Sequence, residues 1–105
     1  MDGDCGGPTP PNPSQMDVPE LTAALYRHLA ATEQLPLDAT TNRWLGEAQA
    51  VAADIATGEV TAAVAIDRAA TVVKLLESTD DIDNPTASEH VATSLALARE
   101  LSNRT

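Results

Sequence analysis

Four times along this chain, aliphatic residues return at three- and four-residue steps, and a proline, a glycine or an oxygen-bearing cap separates each run from the next. That period places side chains on one face of a helix. Nowhere do valines alternate with polar residues, as a half-buried strand requires. The first run is Val18, Leu21, Leu25 and Leu29, and it opens on "DVPE". Asp17 stands at an N-cap with Glu20 three residues on, a capping-box spacing, and Pro19 is tolerated in the first turn. This helix should end near Glu33, where "QLPLDAT" breaks it.

A second helix is predicted over 41–57, with Trp44, Leu45, Ala48, Val51, Ala52 and Ile55 on one face and Arg43, Glu47 and Asp54 on the other. Arg43 and Glu47 form an i,i+4 pair, Gly58 marks the C-terminal stop, and Gly46 within the helix suggests close packing. The third helix, 61–78, is the most apolar. Ala62, Ala65, Ile66, Ala69, Val72, Val73 and Leu76 make its main face, while Val64 and Leu75 fall on a second face with Arg68 and Thr71. Apolar character on two sides places a helix centrally or against another subunit, and the central position is the expectation here. The fourth helix, 85–102, buries Val91, Leu95, Ala98 and Leu101, with Leu97 at the edge.

Four helices of similar length on short connections predict an all-α fold, an antiparallel up-down four-helix bundle spanning 17–105. Residues 1–16, "MDGDCGGPTPPNPSQM", are rich in glycine and proline and carry almost nothing apolar, so they form a disordered N-terminal tail. At 105 residues, with aromatics only 2% of the chain and no phenylalanine, the core must be built from leucine, valine and alanine. Such a core leaves a small stability margin, so help from an assembly partner or from the solvent is expected.

Sixteen acidic residues against six basic ones give a formal charge of −10, and Lys74 is the single lysine. No basic stripe is present to neutralise phosphates, so nucleic acid is not an expected partner. Anionic headgroups are repelled as well, and the most apolar stretch, 60–76, is interrupted by Asp67, Arg68 and Lys74, so no membrane span is read. Cys5 stands alone, which excludes an internal disulfide and a multi-cysteine zinc site. The N-terminus lacks the pattern of a secretory signal, and the expected location is the cytoplasm.

Residues 78–90, "STDDIDNPTASEH", concentrate three aspartates, an asparagine, a glutamate and a histidine. A calcium loop starting at Asp81 would put Asp83 at its third position, then Pro85, Thr86 and Ala92 at the fifth, sixth and twelfth. The obligatory glycine and terminal glutamate are missing. Helix punctuation explains the stretch better: Asn84 caps, Pro85 follows at the first helical position, and "TASE" offers a competing box from Thr86 to Glu89. No metal site is read there.

His28 and His90 both lie on the flank of an apolar stripe. If the first and fourth helices are neighbours the two imidazoles approach each other, but two histidines do not complete a zinc site. Trp44 reads as a core anchor; with Arg43 it would otherwise suit a contact surface, both types being enriched at binding hot spots. No glycine-rich phosphate loop, nucleophile motif or activated thiol is present, so no catalytic, cofactor or metal residue is assigned.

Enrichment in Asp, Thr, Ala and Val beside a single lysine resembles the composition of proteins from salt-loving archaea. More closely, "RWLGEAQAVAADIATGEV" (43–60) resembles a segment of short haloarchaeal proteins that share a helical domain of unknown function. The resemblance extends over about residues 18–102. It implies a helical fold and no activity, so it transfers no functional residue.

The sequence thus favours a non-enzymatic helical protein-interaction module of a halophile cytoplasm, acting on an unknown protein partner or a second copy of itself. Its expected contact surface is Arg43, Trp44, Val64, Arg68 and Leu75. The alternative is a bundle that handles a small molecule or a metal, with an enzymatic role left open, and it predicts a pocket with inward-facing His28 or His90. A third class, an acidic mimic of DNA, requires carboxylates clustered on one face, whereas these are dispersed.

Overall fold

A computed structural model of the chain describes residues 13–58, 60–79 and 82–104. These form four α-helices, α1 Val18–Ala31, α2 Ala39–Thr57, α3 Ala62–Glu77 and α4 Pro85–Ser102, with short 3-10 turns at Pro13–Gln15 and Thr32–Gln34. No strand occurs among the described residues. Each helix packs on two others in cyclic order, α1 on α2 and α4, α3 on α2 and α4, while α1 and α3 barely touch. Short connections between successive neighbours make this the expected up-down antiparallel bundle.

The helix starts follow from their caps. Asp17 accepts from the Glu20 N–H at 2.9 Å and the Glu20 carboxylate accepts from the Asp17 N–H at 3.0 Å, completing the capping box. Asn84 accepts from Thr86 and Ala87 N–H ahead of Pro85. Thr61 caps α3 through the Val64 N–H. The second helix begins two residues before its predicted start, because Asp38 caps it by accepting from the Thr41 N–H at 3.2 Å. Bonds from Thr41, its hydroxyl first and its backbone N–H second, hold the exposed Asp38 carboxyl below its ordinary range.

Gly58 ends α2 with φ −83°, an ordinary extended conformation, so its role is not left-handed geometry. A side chain there would put a Cβ 2.6 Å from the Asp54 carbonyl oxygen. Gly46 is the opposite case. Nothing lies within 4 Å of where its Cβ would be, so it marks no close packing and faces open space. Gly46→Ala is therefore expected to stabilise the protein by about 1 kcal/mol, the helix-propensity difference, as measured by urea unfolding.

The core is leucine and alanine: Leu21, Leu25, Leu29, Leu45, Leu76 and Leu101 are sealed, and Ala48, Ala69, Ala87 and Ala98 let the helices approach closely. Three expected placements differ. Trp44 is only half-buried and does not join the core, while its neighbour Leu45 does. One residue is a 100° rotation about the axis, which carries the indole to the flank of the deep stripe Leu45–Ala48–Ala52–Ile55. On α4 the buried stripe runs through Ala87, Val91, Ser94, Leu97, Ala98 and Leu101, so Leu97 is core and Leu95 only partly buried. Ser94 faces inward with its hydroxyl unpartnered among the described residues. And α3 is not central, since no helix of this square is. Its main face is buried at Ala65, Ala69, Val72 and Leu76, and Val64 on its second face meets solvent.

Residues 1–12 of the expected disordered tail, with Cys5, lie outside the described residues, as do Asp80 and Asp81 of the loop before α4. Pro13–Met16 are described. Met16 packs against the core, and the Arg104 guanidinium donates to the Pro13 carbonyl at 3.0 Å while pairing with Glu100 at 2.9 Å. The end of α4 thereby holds this segment against the bundle.

Candidate functional site

Of the five residues expected to form one contact surface, the structure brings together only some. Arg43 is exposed and directed to Glu47 at 3.4 Å, and Trp44 lies half-buried beside it at the start of α2. Val64 and Arg68 are exposed one turn apart on α3. Leu75 is half-buried and packs against the core. A helix rises about 1.5 Å per residue, so Val64 and Leu75 are ~16 Å apart along α3. The antiparallel pairing puts Trp44 toward the Leu75 end. The surface is two separate places, and the apolar one is at Val64.

There a feature appears that periodicity did not reveal. Among the described residues, Val60 and Val64 are the large hydrophobic residues left exposed, at 38% and 37%. Val60, in the α2–α3 connection, lines a cleft of about 290 Å³ together with Val18, Pro19, Ile55 and Ala62. Asp17, Glu20 and Asp54, all exposed, are the chain neighbours of Val18, Pro19 and Ile55. Thr22 and Thr61 share this cleft with the aliphatic side chains, and acids flank several of its lining residues along the chain. Val60 was missed because it sits in a connection, outside any helical stripe.

The second place is the seam between α1 and α4. These helices are neighbours, and His28 near the end of α1 meets His90 near the start of α4, Nδ1 to Nδ1 at 3.0 Å. The ring centres are 5.3 Å apart and the planes are tilted by 50°. The difference leaves about 1.15 Å per ring, the distance from an imidazole's centre to its nitrogen, so both nitrogens lie on the line between the centres. Each lone-pair direction thus points at the other nitrogen. This is a linear N–H···N hydrogen bond. It is not a chelate, in which two lone pairs converge on a third point, and no group of three metal-ligating side chains occurs among the described residues. Beside the pair, Pro13, Met16, Ala24, Arg27, His28, Thr93 and Leu97 line a pocket of about 220 Å³.

Burial, then the charge of His90, then that of Arg27 push His28 below its ordinary value of 6.5. The unfolded chain therefore takes up this proton first as pH falls. Its contribution to stability is complete above 6.5 and is lost as pH falls through the lower folded-state value. Unfolding free energy measured at fixed salt should accordingly decline as the pH drops below 6.5, and His28→Gln should flatten that part of the profile.

No described helix is long and apolar enough to cross a membrane. No curated protein and no solved structure matches the chain. One family profile does match, over residues 21–105, and its description is Domain of unknown function (DUF8152). The matched span takes in all of α2, α3 and α4 and all of α1 beyond its first three residues, so the bundle described above is the fold of that domain, and the chain belongs to this family.

Proposed function

We propose that this domain is a non-enzymatic protein-interaction module working in a salt-rich cytoplasm, and that its docking face is the cleft at Val60 and Val64. The observation that carries this reading is the exposure of those two valines at a cleft partly lined by aliphatic side chains, where the other large hydrophobics among the described residues are largely covered. An apolar centre within a polar surround is the anatomy of a protein interface. The partner is a segment of another protein with an aliphatic anchor and basic flanks. A second copy of this chain fits less well, because its six basic residues offer few cations to meet carboxylates at contact.

The halophile assignment rests on the carboxylates. Among the described residues only three ion pairs form, Arg43–Glu47, Arg99–Glu77 and Arg104–Glu100, so most acids are left to hydration. In molar salt the Debye length is ~3 Å, so the flanking acids act only at contact and the valine anchor supplies most of the affinity.

Affinity capture in molar KCl tests the reading. The wild-type chain is expected to retain one stoichiometric protein. Val64→Asp should lower its recovery at least tenfold, the effect of about 1.4 kcal/mol or more at an interface anchor, with unchanged helicity. Recovery unaffected by both Val60→Asp and Val64→Asp would remove the cleft from the proposal.

A further inference from the structure

We propose that the pocket bounded by α1, α4 and the Pro13–Met16 segment binds a small organic carboxylate carried on an apolar body of about six carbons. The site lies on the α1–α4 seam, away from the Val60 cleft, and the inference stands whether or not that cleft docks a protein.

Size comes first. A cavity of about 150 Å³ accommodates benzene, and drug-sized ligands need roughly 300 Å³ or more, so 220 Å³ suits a single ring or a short chain with one polar group. The lining then sets the chemistry. Met16, Ala24 and Leu97 provide an apolar wall, and Arg27, His28 and Thr93 supply donors. Among the described residues Arg27 has no carboxylate partner, although the chain carries sixteen acids. A guanidinium, an imidazole and a hydroxyl around one small pocket select an anion and reject a cation. Arg104 braces the segment that closes one side, through its bond to the Pro13 carbonyl.

The histidine pair couples this binding to protons. In the neutral pair one ring donates Nδ1–H and the other accepts on Nδ1. The accepting ring then carries its proton on Nε2, which leaves one free lone pair, the Nε2 of the donating ring. A first added proton goes there, and the Nδ1–H···Nδ1 bond survives as a charge-assisted one. A second would set two N–H groups head-on at 3.0 Å and break it. The pair therefore accepts one positive charge without opening the seam. That charge is opposed by Arg27 and welcomed by an anion in the pocket, so carboxylate binding takes up a proton and tightens as pH falls. Apart from Arg27 and His28, no charged group of the adjoining elements lines the pocket. The Pro13–Gln15 turn has no titratable side chain, Glu33 after α1 is held by Gln49 at 2.6 Å, and Glu89 beside His90 is exposed.

Benzoate titrated into the full chain at constant KCl, followed by amide and imidazole NMR, tests this. Saturable shifts confined to Arg27, His28, His90, Thr93 and Leu97 are expected, with affinity about tenfold higher at pH 6 than at pH 8. Arg27→Gln, a change on the exposed surface that leaves the core intact, should weaken binding about tenfold. Replacing both rings, His28→Gln together with His90→Gln, should remove the pH dependence while an amide pair keeps the seam hydrogen-bonded. Equal binding of uncharged benzamide, absence of saturable shifts at pH 6, or affinity indifferent to Arg27→Gln would each overturn the proposal.

Discussion

Leu25→Ala is expected to cost about 2–5 kcal/mol of unfolding free energy, measured by urea denaturation in molar KCl. Leu25 is fully sealed at the centre of α1, and it joins Leu21 and Leu29 in the stripe that faces α2 and α4. A leucine in such a setting loses its transfer free energy and leaves a cavity that closes only as far as its neighbours can move. Here they can move little, because Ala48, Ala69 and Ala98 already hold the helices close and have no rotamers with which to fill a gap. A domain of this size has about 5–15 kcal/mol in total, so the loss takes a large share of it. Leu95→Ala, on the same bundle but only partly buried, should cost well under half as much. Equal losses at the two positions would contradict the observed rotation of α4.

The salt response should be nearly as large. Ten net negative charges confined to the folded volume repel one another more than in a coil of radius ~30 Å. Screening at 1 M reduces the Debye length to ~3 Å, against ~30 Å at 0.01 M. Spreading the charge uniformly over the two volumes gives a difference of about 3 kcal/mol in favour of the high-salt fold. The midpoint of thermal unfolding should therefore drop by more than about 10 °C on dialysis from molar to millimolar KCl. The ion pairs resist this poorly, since two of the three, Arg43–Glu47 and Arg99–Glu77, are exposed and contribute at most about 1 kcal/mol each. Unchanged helicity and midpoint in dilute buffer would count against the halophile assignment.

Helix identity was legible because caps and stripes are local. Asp17–Glu20, Asn84–Pro85 and Gly58 bound their helices where the residue types require. Rotation about the axis was less legible. On α4 the polar Ser94 interrupts the apolar stripe and hides that Leu97 belongs to it. On α2 the size of Trp44 suggested the core, but a core narrowed by alanines has no room for an indole. Asp38 was hidden by Pro36 and Leu37, which read as loop, though Asp is itself a favoured N-cap residue. The bond from Arg104 to the Pro13 carbonyl spans ninety-one residues, and no local pattern reports that.

The two candidate sites divide in the same way. His28 and His90 each showed a flank position in the sequence, and once α1 and α4 were neighbours their meeting followed; its linear geometry needed atomic positions. The Val60 cleft depends on how the α2–α3 connection folds over the start of α1, a tertiary arrangement without a periodic signature.

The docking face is tested most directly by photo-crosslinking. A photo-activatable residue is placed at Val60, at Val64 or, as a control, at Glu89, and the chain is irradiated in the cells it comes from. One protein captured from both valine positions and not from the control is the predicted result. A self-crosslinked dimer, or equal capture from all three positions, would contradict it.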